Sequence, residues 1–284
     1  METVTLNNGV AMPLLGLGMF QMRDKSECAC IVNAAIRLGY RKFDTAALYG
    51  NEAVLGEAIR RSGVAREAFF VTSKLWVQDA GYDKTLQAFE RSLEALGFDY
   101  LDAYLVHQPY GDYYGSWRAM EELYAGGKIR AIGISNFSPE RLTDLCLHAK
   151  VKPAVNQIEC HPFYQQREYL RLMNTMDVRL EAWAPLAEGS HSIFTNPVLT
   201  AIGAQYGKTA AQVALRFNLQ RGISVNPKTV HEDFLRENLD VFDFVLDERD
   251  MEQLAALDTE RSEIIDHANP STVRMICGCK IKSA

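Results

Sequence analysis

The chain has 284 residues, 48% of them hydrophobic, enough to bury the core of one large domain or two ordinary ones. Thirty lysines and arginines against 36 aspartates and glutamates leave a formal charge of −6, which argues against a general nucleic-acid binder. The longest apolar runs fall short of the roughly 20 residues that cross a bilayer, and the opening M-E-T-V-T-L-N-N-G carries neither a basic nor an apolar leader region. The expectation is therefore a cytoplasmic protein with no membrane partner.

Residues 4–6 and 10–12 flank Asn7-Asn8-Gly9, the signal of a hairpin, read here as a small lid at the start of the chain. Residues 14–17 are an apolar strand running into Gly16-Leu17-Gly18. A helix over 26–38 follows, with Ile31, Ala34, Ala35 and Leu38 on one face and Gly39 as its stop. From there strand and helix alternate: strand 42–44 and helix 51–61, strand 69–74 and helix 83–96, strand 101–107 and helix 116–124. Strand 129–135 precedes helix 139–148, for which Ser138 is the N-cap and Pro139 the first residue. Strand 155–159 and helix 168–176 come next, then strand 178–184 with two helices, 197–206 and 210–219. Strand 223–227, helix 234–241 and an additional helix 250–257 complete the pattern, and the tail 262–284 has no clear period. Eight strand–helix units without a linker or a composition break predict a single (β/α)8 TIM barrel domain over 1–284, with an N-terminal β-hairpin and extra C-terminal helices. A doubly wound open sheet is the runner-up.

Barrels of this kind carry their active sites at the C-terminal ends of the strands, so the polar residues found there matter most. Asp44 ends the second strand, with Tyr49 in the loop beyond it; Lys74 ends the third and His107 the fourth. A phenol has an ordinary pKa of about 10, and a cation held beside it by a carboxylate stabilises the phenolate and lowers that value. Ser135 and Asn136 end the fifth strand and Gln157 lies in the sixth, neutral partners suited to an amide-bearing ligand. Trp183 ends the seventh and offers a flat face to a ring. Lys228 and Thr229 follow the eighth strand just before a helix, a pairing that fits a phosphate.

The strings D-T-A-A-L-Y-G-N-E, T-S-K-L-W, V-H-Q-P, G-I-S-N-F and N-Q-I-E-C-H-P, in that order, resemble the aldo-keto reductase superfamily over nearly the whole chain. H-Q-P, G-S-W-R-A-M-E-E-L and D-H-A-N-P-S-T-V-R are most similar to its bacterial branch, near the enzymes called 2,5-diketo-gluconate reductases. The resemblance implies NADPH-dependent reduction of aldehydes and ketones by an enzyme acting on small carbonyl compounds; nothing in the sequence suggests an extended apolar interface, so a monomer is the expectation. The resemblance makes Tyr49 the general acid, supported by Asp44 and Lys74, with His107 orienting the carbonyl. It assigns Ser135, Asn136 and Gln157 to the nicotinamide carboxamide and Trp183 to its ring. Leu186 falls to the pyrophosphate, Lys228 and Thr229 to the ribose 2′-phosphate, and Glu237 and Asn238 to the adenine. Phe20, Leu48 and Trp76 form an apolar substrate wall, and the tail after Ser262 closes the pocket.

Two positions depart from the family pattern. Phe234 stands where the family usually has an arginine, and Arg236 is out of register for that place, which leaves NADH possible beside NADPH. Gln108 stands where a tryptophan often follows the histidine, making the pocket wider and more polar.

Other readings are weaker. The six cysteines include no C-x-x-C; Cys28/Cys30 and Cys277/Cys279 are spaced C-x-C, and unpaired reduced thiols are the expectation. No H-x-H or H-E-x-x-H occurs, so no metal is expected. Tyr124 and Lys128 make the Y-x-x-x-K of short-chain dehydrogenases without that fold's Gly-rich turn, and 203–209 is one residue short of a P-loop. Both read as helix ends. A different class of function is a non-catalytic barrel that senses nicotinamide redox state, against which the intact Asp44, Tyr49, Lys74 and His107 weigh.

Overall fold

The computed structural model describes residues 2–262 and 264–281; of the tail, residues 263 and 282–284 lie outside the described residues. Strands β1 (Thr3–Thr5) and β2 (Ala11–Pro13) pair antiparallel with Val4 opposite Met12. Gly9 takes a φ of 84° in the turn, a conformation that costs a glycine little. The hairpin does not lie over the strand ends that carry the polar residues. Leu6 and Met12 instead bury against Phe70, Ala103, Ala131 and Val155, which line the sheet toward the strand starts, so it is a plug at the other end. Asn7 Nδ2 donates to the Pro153 carbonyl at 3.0 Å and Asn8 Nδ2 to that of Arg130 at 2.8 Å, which fix the plug to two loops.

Among the described residues eight strands form one parallel sheet whose order follows the chain. They are β3 (Leu17–Gly18), β4 (Lys42–Asp44), β5 (Phe70–Leu75), β6 (Leu101–Val106), β7 (Ile129–Ser135), β8 (Val155–Glu159), β9 (Arg179–Trp183) and β10 (Ser224–Val225). The two edges of this sheet meet. Leu15 bridges Val225 in parallel, Gly16 N–H donates to the Val225 carbonyl at 2.9 Å, and Val225 N–H donates to that of Leu14 at 2.8 Å. A doubly wound sheet reverses its strand order at a switch point, and no such reversal is present among these strands. The seam explains two glycines. A Cβ on Gly16 would sit 2.5 Å from Asn226 Oδ1, and one on Gly18 would sit 2.6 Å from the Asn226 carbonyl oxygen.

Helices α1 (Lys25–Leu38), α2 (Glu52–Arg61), α3 (Tyr82–Leu96), α4 (Tyr113–Ala125), α5 (Pro139–His148) and α6 (Arg167–Met176) follow successive strands. α7 (Pro197–Tyr206) and α8 (Ala210–Gln220) both lie between β9 and β10, and α9 (Glu232–Leu239), α10 (Glu248–Ala255) and α11 (Pro270–Gly278) come after. The stops are as expected: Gly39 and Gly97 are left-handed and send N–H groups back to the last carbonyls of α1 and α3. Gly207 ends α7 in the same way and Thr209 opens α8 with a capping box, so the P-loop-like string is a helix junction. Tyr124 and Lys128 flank the end of α4 and its Gly126-Gly127 turn. Ser138 holds the N-cap position of α5, but its hydroxyl bonds the Glu140 carboxylate rather than a backbone N–H. Helix α11 is absent from the sequence reading because it buries little besides Ile276 and so shows no apolar stripe; Asn269 caps it and Pro270 starts it.

Candidate active site

Side chains alternate along a strand, so on β4 Lys42 and Asp44 share one face and Phe43 takes the other. Asp44 reaches the top of the barrel interior. Tyr49 is placed there by a single 3-10 turn, Ala47–Tyr49, which ends at Gly50 with a φ of 69°. Lys74 comes in from β5. Its ammonium donates to Asp44 Oδ2 at 2.6 Å, to the Thr45 carbonyl at 2.9 Å and to Tyr49 Oη at 3.3 Å. All three N–H groups of the ammonium therefore have a partner, which a buried charge requires. His107 stands just past β6, its ring edge-on to Tyr49 with centroids 5.7 Å apart and to Trp76 at 5.1 Å. The four residues foreseen at successive strand ends thus meet at one place.

Burial dominates the proton affinities here. It raises the Tyr49 phenol above its ordinary value; the Lys74 ammonium opposes the shift and the Asp44 carboxylate adds to it. The sequence reading had the cation win, but a phenol crowded by side chains at the mouth of a barrel loses more hydration than one shared ammonium returns. Tyr49 is therefore a protonated phenol at neutral pH. Burial also raises the Asp44 carboxyl, with Lys74 pulling the other way. For Lys74 burial pulls down, but Asp44 and Tyr49 outweigh it and the ammonium is kept. Burial, followed by the nearby Lys74 and His267, drives His107 well below the ordinary histidine value, so its ring is neutral.

A cavity of about 780 Å³ opens over these groups, lined by Asp44, Tyr49 and His107 while Lys74 stays buried behind them. Ser135, Asn136, Gln157, Trp183, Leu186 and Lys228 also line it, as do Phe20, Leu48, Trp76 and Gln108. Asn136 adopts a φ of 63°, which lets its Nδ2 donate to the His107 carbonyl at 3.1 Å while its Oδ1 accepts Trp183 Nε1–H at 2.8 Å. The Ser135 hydroxyl donates to the Gln157 carbonyl at 2.8 Å. Three residues stand apart from this lining. The Thr229 hydroxyl accepts the His231 N–H at 3.0 Å, Glu237 accepts the Thr209 hydroxyl at 2.6 Å, and Asn238 is buried in α9. Phe234 lies on the same helix, 51% exposed, edge-on to His231.

A family model described as the aldo/keto reductase family matches residues 14–259. The chain belongs to the aldo/keto reductase family. It is 48% identical over 260 residues to a glyoxal reductase of Bacillus subtilis (strain 168), covering 91% of this chain and 94% of that one. It is 45% identical over 260 residues to a 9,11-endoperoxide prostaglandin H2 reductase of Trypanosoma cruzi (strain CL Brener), covering 91% and 92%. Among solved structures, MGS-M4, an aldo-keto reductase from a Medee basin deep-sea metagenome library, superimposes with a TM-score of 0.90 at 41% identity, covering 94% of this chain and 98% of that one. The protein is an oxidoreductase acting on carbonyl groups. The relatives' names give no support to a non-catalytic sensor.

The reductase cavity includes residues that the sequence reading passed over. The tail supplies Ile264, Ile265, His267, Met275, Ile276 and Cys279 as a wall, and the loop after β9 supplies Glu188, Gly189 and Phe194. The tail is held by Trp76 Nε1–H to the Cys279 carbonyl at 2.8 Å, by Tyr110 Oη–H to that of His267 at 2.7 Å, and by Ile281 N–H to Gln78 Oε1 at 2.8 Å. The tail expected to close the pocket forms one wall of it. All six cysteines are free, and no group of histidine, cysteine and acidic side chains suited to a metal occurs among the described residues. Below Asp44 lie Lys42, Glu181 and Asn226, all buried. Period-two spacing would have found them, since Glu181 shares its strand face with Trp183 as Lys42 does with Asp44.

Proposed function

We propose that this aldo-keto reductase reduces aldehydes and ketones to alcohols with NADPH, working as a single (β/α)8 barrel domain over 1–284. The observation that carries the reading is the Lys74 ammonium, 3.3 Å from the Tyr49 hydroxyl and 2.6 Å from Asp44, at the floor of a cavity. The cavity fits a nicotinamide. Gln157 uses its amide N–H groups on two carboxylates, Asp44 at 2.8 Å and Glu181 at 2.6 Å, which leaves its carbonyl oxygen to accept from a carboxamide. Ser135 and Asn136 complete that polar edge, Trp183 offers its face to the ring, and Leu186 lies along the pyrophosphate. The exposed Lys228 is the cation for a 2′-phosphate, with Thr229, and Glu237 and Asn238 serve the adenine. Bound there, the cofactor supplies a hydride to the carbonyl carbon.

The protein's own part is proton delivery and orientation. Tyr49, a protonated phenol, donates to the oxygen as charge builds on it. Lys74, kept cationic by Asp44, stabilises the phenolate that results. His107 is neutral, and its Nδ1 is buried with no acceptor near it. The ring proton therefore belongs on Nε2, where it holds the carbonyl oxygen beside Tyr49. Phe20, Leu48 and Trp76 exclude water, and Gln108 keeps one wall polar. Small dicarbonyls come first among substrates because of the glyoxal reductase relative; aldehydes and ketoacids follow. The enzyme acts on a small-molecule carbonyl as a cytoplasmic monomer, with no nucleic-acid or membrane partner; no helix among the described residues is long and apolar enough to cross a membrane. A carbonyl panel run with NADPH and NADH in parallel tests the reading. Turnover is expected with NADPH, with some use of NADH because Phe234 replaces the usual arginine. No oxidation of either cofactor by any carbonyl would overturn it.

A further inference from the structure

Beneath the catalytic groups the barrel holds a second buried ion pair that the proton chemistry does not use. Lys42 on β4 and Glu181 on β9 lie in the interior, with Lys42 Nζ 2.7 Å from Glu181 Oε2 and both side chains sealed from solvent. The remaining oxygen, Glu181 Oε1, accepts Asn226 Nδ2–H at 2.6 Å and Gln157 Nε2–H at 2.6 Å. Gln157 Nε2 also donates to Asp44 Oδ1 at 2.8 Å, and Asp44 Oδ2 faces Lys74 at 2.6 Å. The result is one unbroken chain across the barrel: Lys42, Glu181, Gln157, Asp44, Lys74, Tyr49. Registry supports it, since Gln157 and Glu181 are direct neighbours in the β8–β9 pairing and Glu181 and Ser224 in the β9–β10 pairing.

The link at Gln157 has a direction. A carboxylate accepts hydrogen bonds and does not donate them. An amide between two carboxylates must therefore turn its NH2 toward both, and a flip would set its carbonyl oxygen against two negative oxygens. With Asp44 alone the amide could satisfy one N–H and rotate; with Glu181 on the other side it cannot. Lys42 holds Glu181 in place and keeps it charged, and the Glu181 charge adds to the burial that raises Asp44. Burial acts first on Glu181 by raising its carboxyl, but Lys42, Gln157 and Asn226 together bring it below the usual carboxylate range, so the acceptor stays ionised.

We propose that Glu181, anchored by Lys42, is a positioning residue that locks the Gln157 amide, so that its carbonyl oxygen faces the nicotinamide end of the cofactor and its N–H groups brace Asp44 behind Lys74. This rests on the function proposed above. It predicts a defect confined to the nicotinamide end, which a general loosening of the barrel would not produce.

The test is the paired variant Lys42→Met with Glu181→Leu, which removes both charges and the acceptor for the Gln157 amide together and leaves no unpaired ion. Binding is measured for the whole oxidised cofactor and for its adenosine fragment: 2′,5′-ADP if NADPH is turned over, ADP-ribose if NADH is. The expected result is that affinity for the whole cofactor weakens about tenfold, as loss of a charged hydrogen-bond partner would bring. Affinity for the fragment stays within about twofold and kcat falls by a further factor of about ten. Unchanged cofactor affinity and kcat in a folded protein would overturn the proposal, and so would equal loss for cofactor and fragment. Should the paired variant not fold, Glu181→Asp keeps the charge and shortens the reach, and is expected to shift the same ratio in the same direction; no shift would refute it. Tyr49→Phe, run alongside, separates the two ideas. If that variant keeps ordinary turnover the functional reading fails, whereas an inactive Tyr49→Phe beside an unaffected paired variant sinks only the role of Glu181.

Discussion

The two ends of the barrel are built from opposite materials. At the starts of the strands the interior is filled with Leu6, Met12, Phe70, Ala103 and Val155, a dry plug supplied by the hairpin. The charge at that end, Asp102, is itself buried, but Arg66 at 2.8 Å and Arg130 at 2.7 Å, whose side chains are 16% and 43% exposed, carry its pairing out to solvent. At the other end Asp44 and Lys74, and beneath them Lys42 and Glu181, are all buried and each is paired. Burying ions is expensive, and replacing such pairs with apolar groups is often neutral or stabilising. At the closed end each cation partner of the buried acid still reaches water, whereas toward the open end both members of each pair are buried, a concentration of charge that marks a functional site.

This contrast can be broken in a graded way. The largest effect is expected from Tyr49→Phe, which removes one hydroxyl at the open end: kcat/KM for reduction falls about a thousandfold with the melting temperature nearly unchanged. Ordinary turnover in that variant would remove the phenol from the mechanism. Next comes Glu181→Leu, which strands the Lys42 ammonium in the interior and is expected to cost about 3–5 kcal/mol in denaturant unfolding. Leu6→Ala makes the converse case. Deleting a buried side chain from the plug should cost about 2–4 kcal/mol of stability while kcat and KM stay near wild type. A fall in kcat larger than the loss of folded protein would mean that the two ends are not independent.

A smaller effect is expected from Phe234→Arg. Restoring a cation near Lys228 should raise the preference for NADPH over NADH by about tenfold, read as the ratio of kcat/KM values. The pH profile sharpens the comparison last. Burial raises the Tyr49 phenol, so its proton is held through neutrality and lost only as pH climbs past the ordinary tyrosine range. Reduction should stay level from pH 7 to about 10 and decline only beyond it. A decline that begins near neutrality would contradict the raised phenol.

The sequence made the open end legible because its signals are sparse and placed. Asp44, Lys74, His107 and Trp183 each stand at or within a residue of a strand end, and strands 42–44, 129–135 and 155–159 were bounded correctly by apolar runs and turn residues. The Gly39, Gly97 and Gly207 stops were legible for a local reason, since each needs a left-handed residue. What stayed hidden depends on distance along the chain. Glu181 meets Lys42 only after the sheet has curled round, 139 residues apart, and nothing local marks the pairing. The sign of the Tyr49 shift was misjudged for a related reason: proximity of a cation can be guessed from order, but depth of burial requires the whole barrel. The hairpin was found but put at the wrong end, because an N-G turn fixes its own shape and says nothing about which mouth it covers. Helix α11 packs through Val273 and Ile276 on the pocket wall, too few positions to make a pattern.

The arm that forms that wall is tied to the barrel through its own peptide groups: Trp76 and Tyr110 bond carbonyls at Cys279 and His267, and Gln78 takes the N–H of Ile281. Peptide groups are the same whatever side chain they carry. Exchanging Met275, which is 63% exposed where it lines the cavity, therefore leaves the attachments in place. The wall of the cavity can therefore change its surface without loosening what holds it to the barrel.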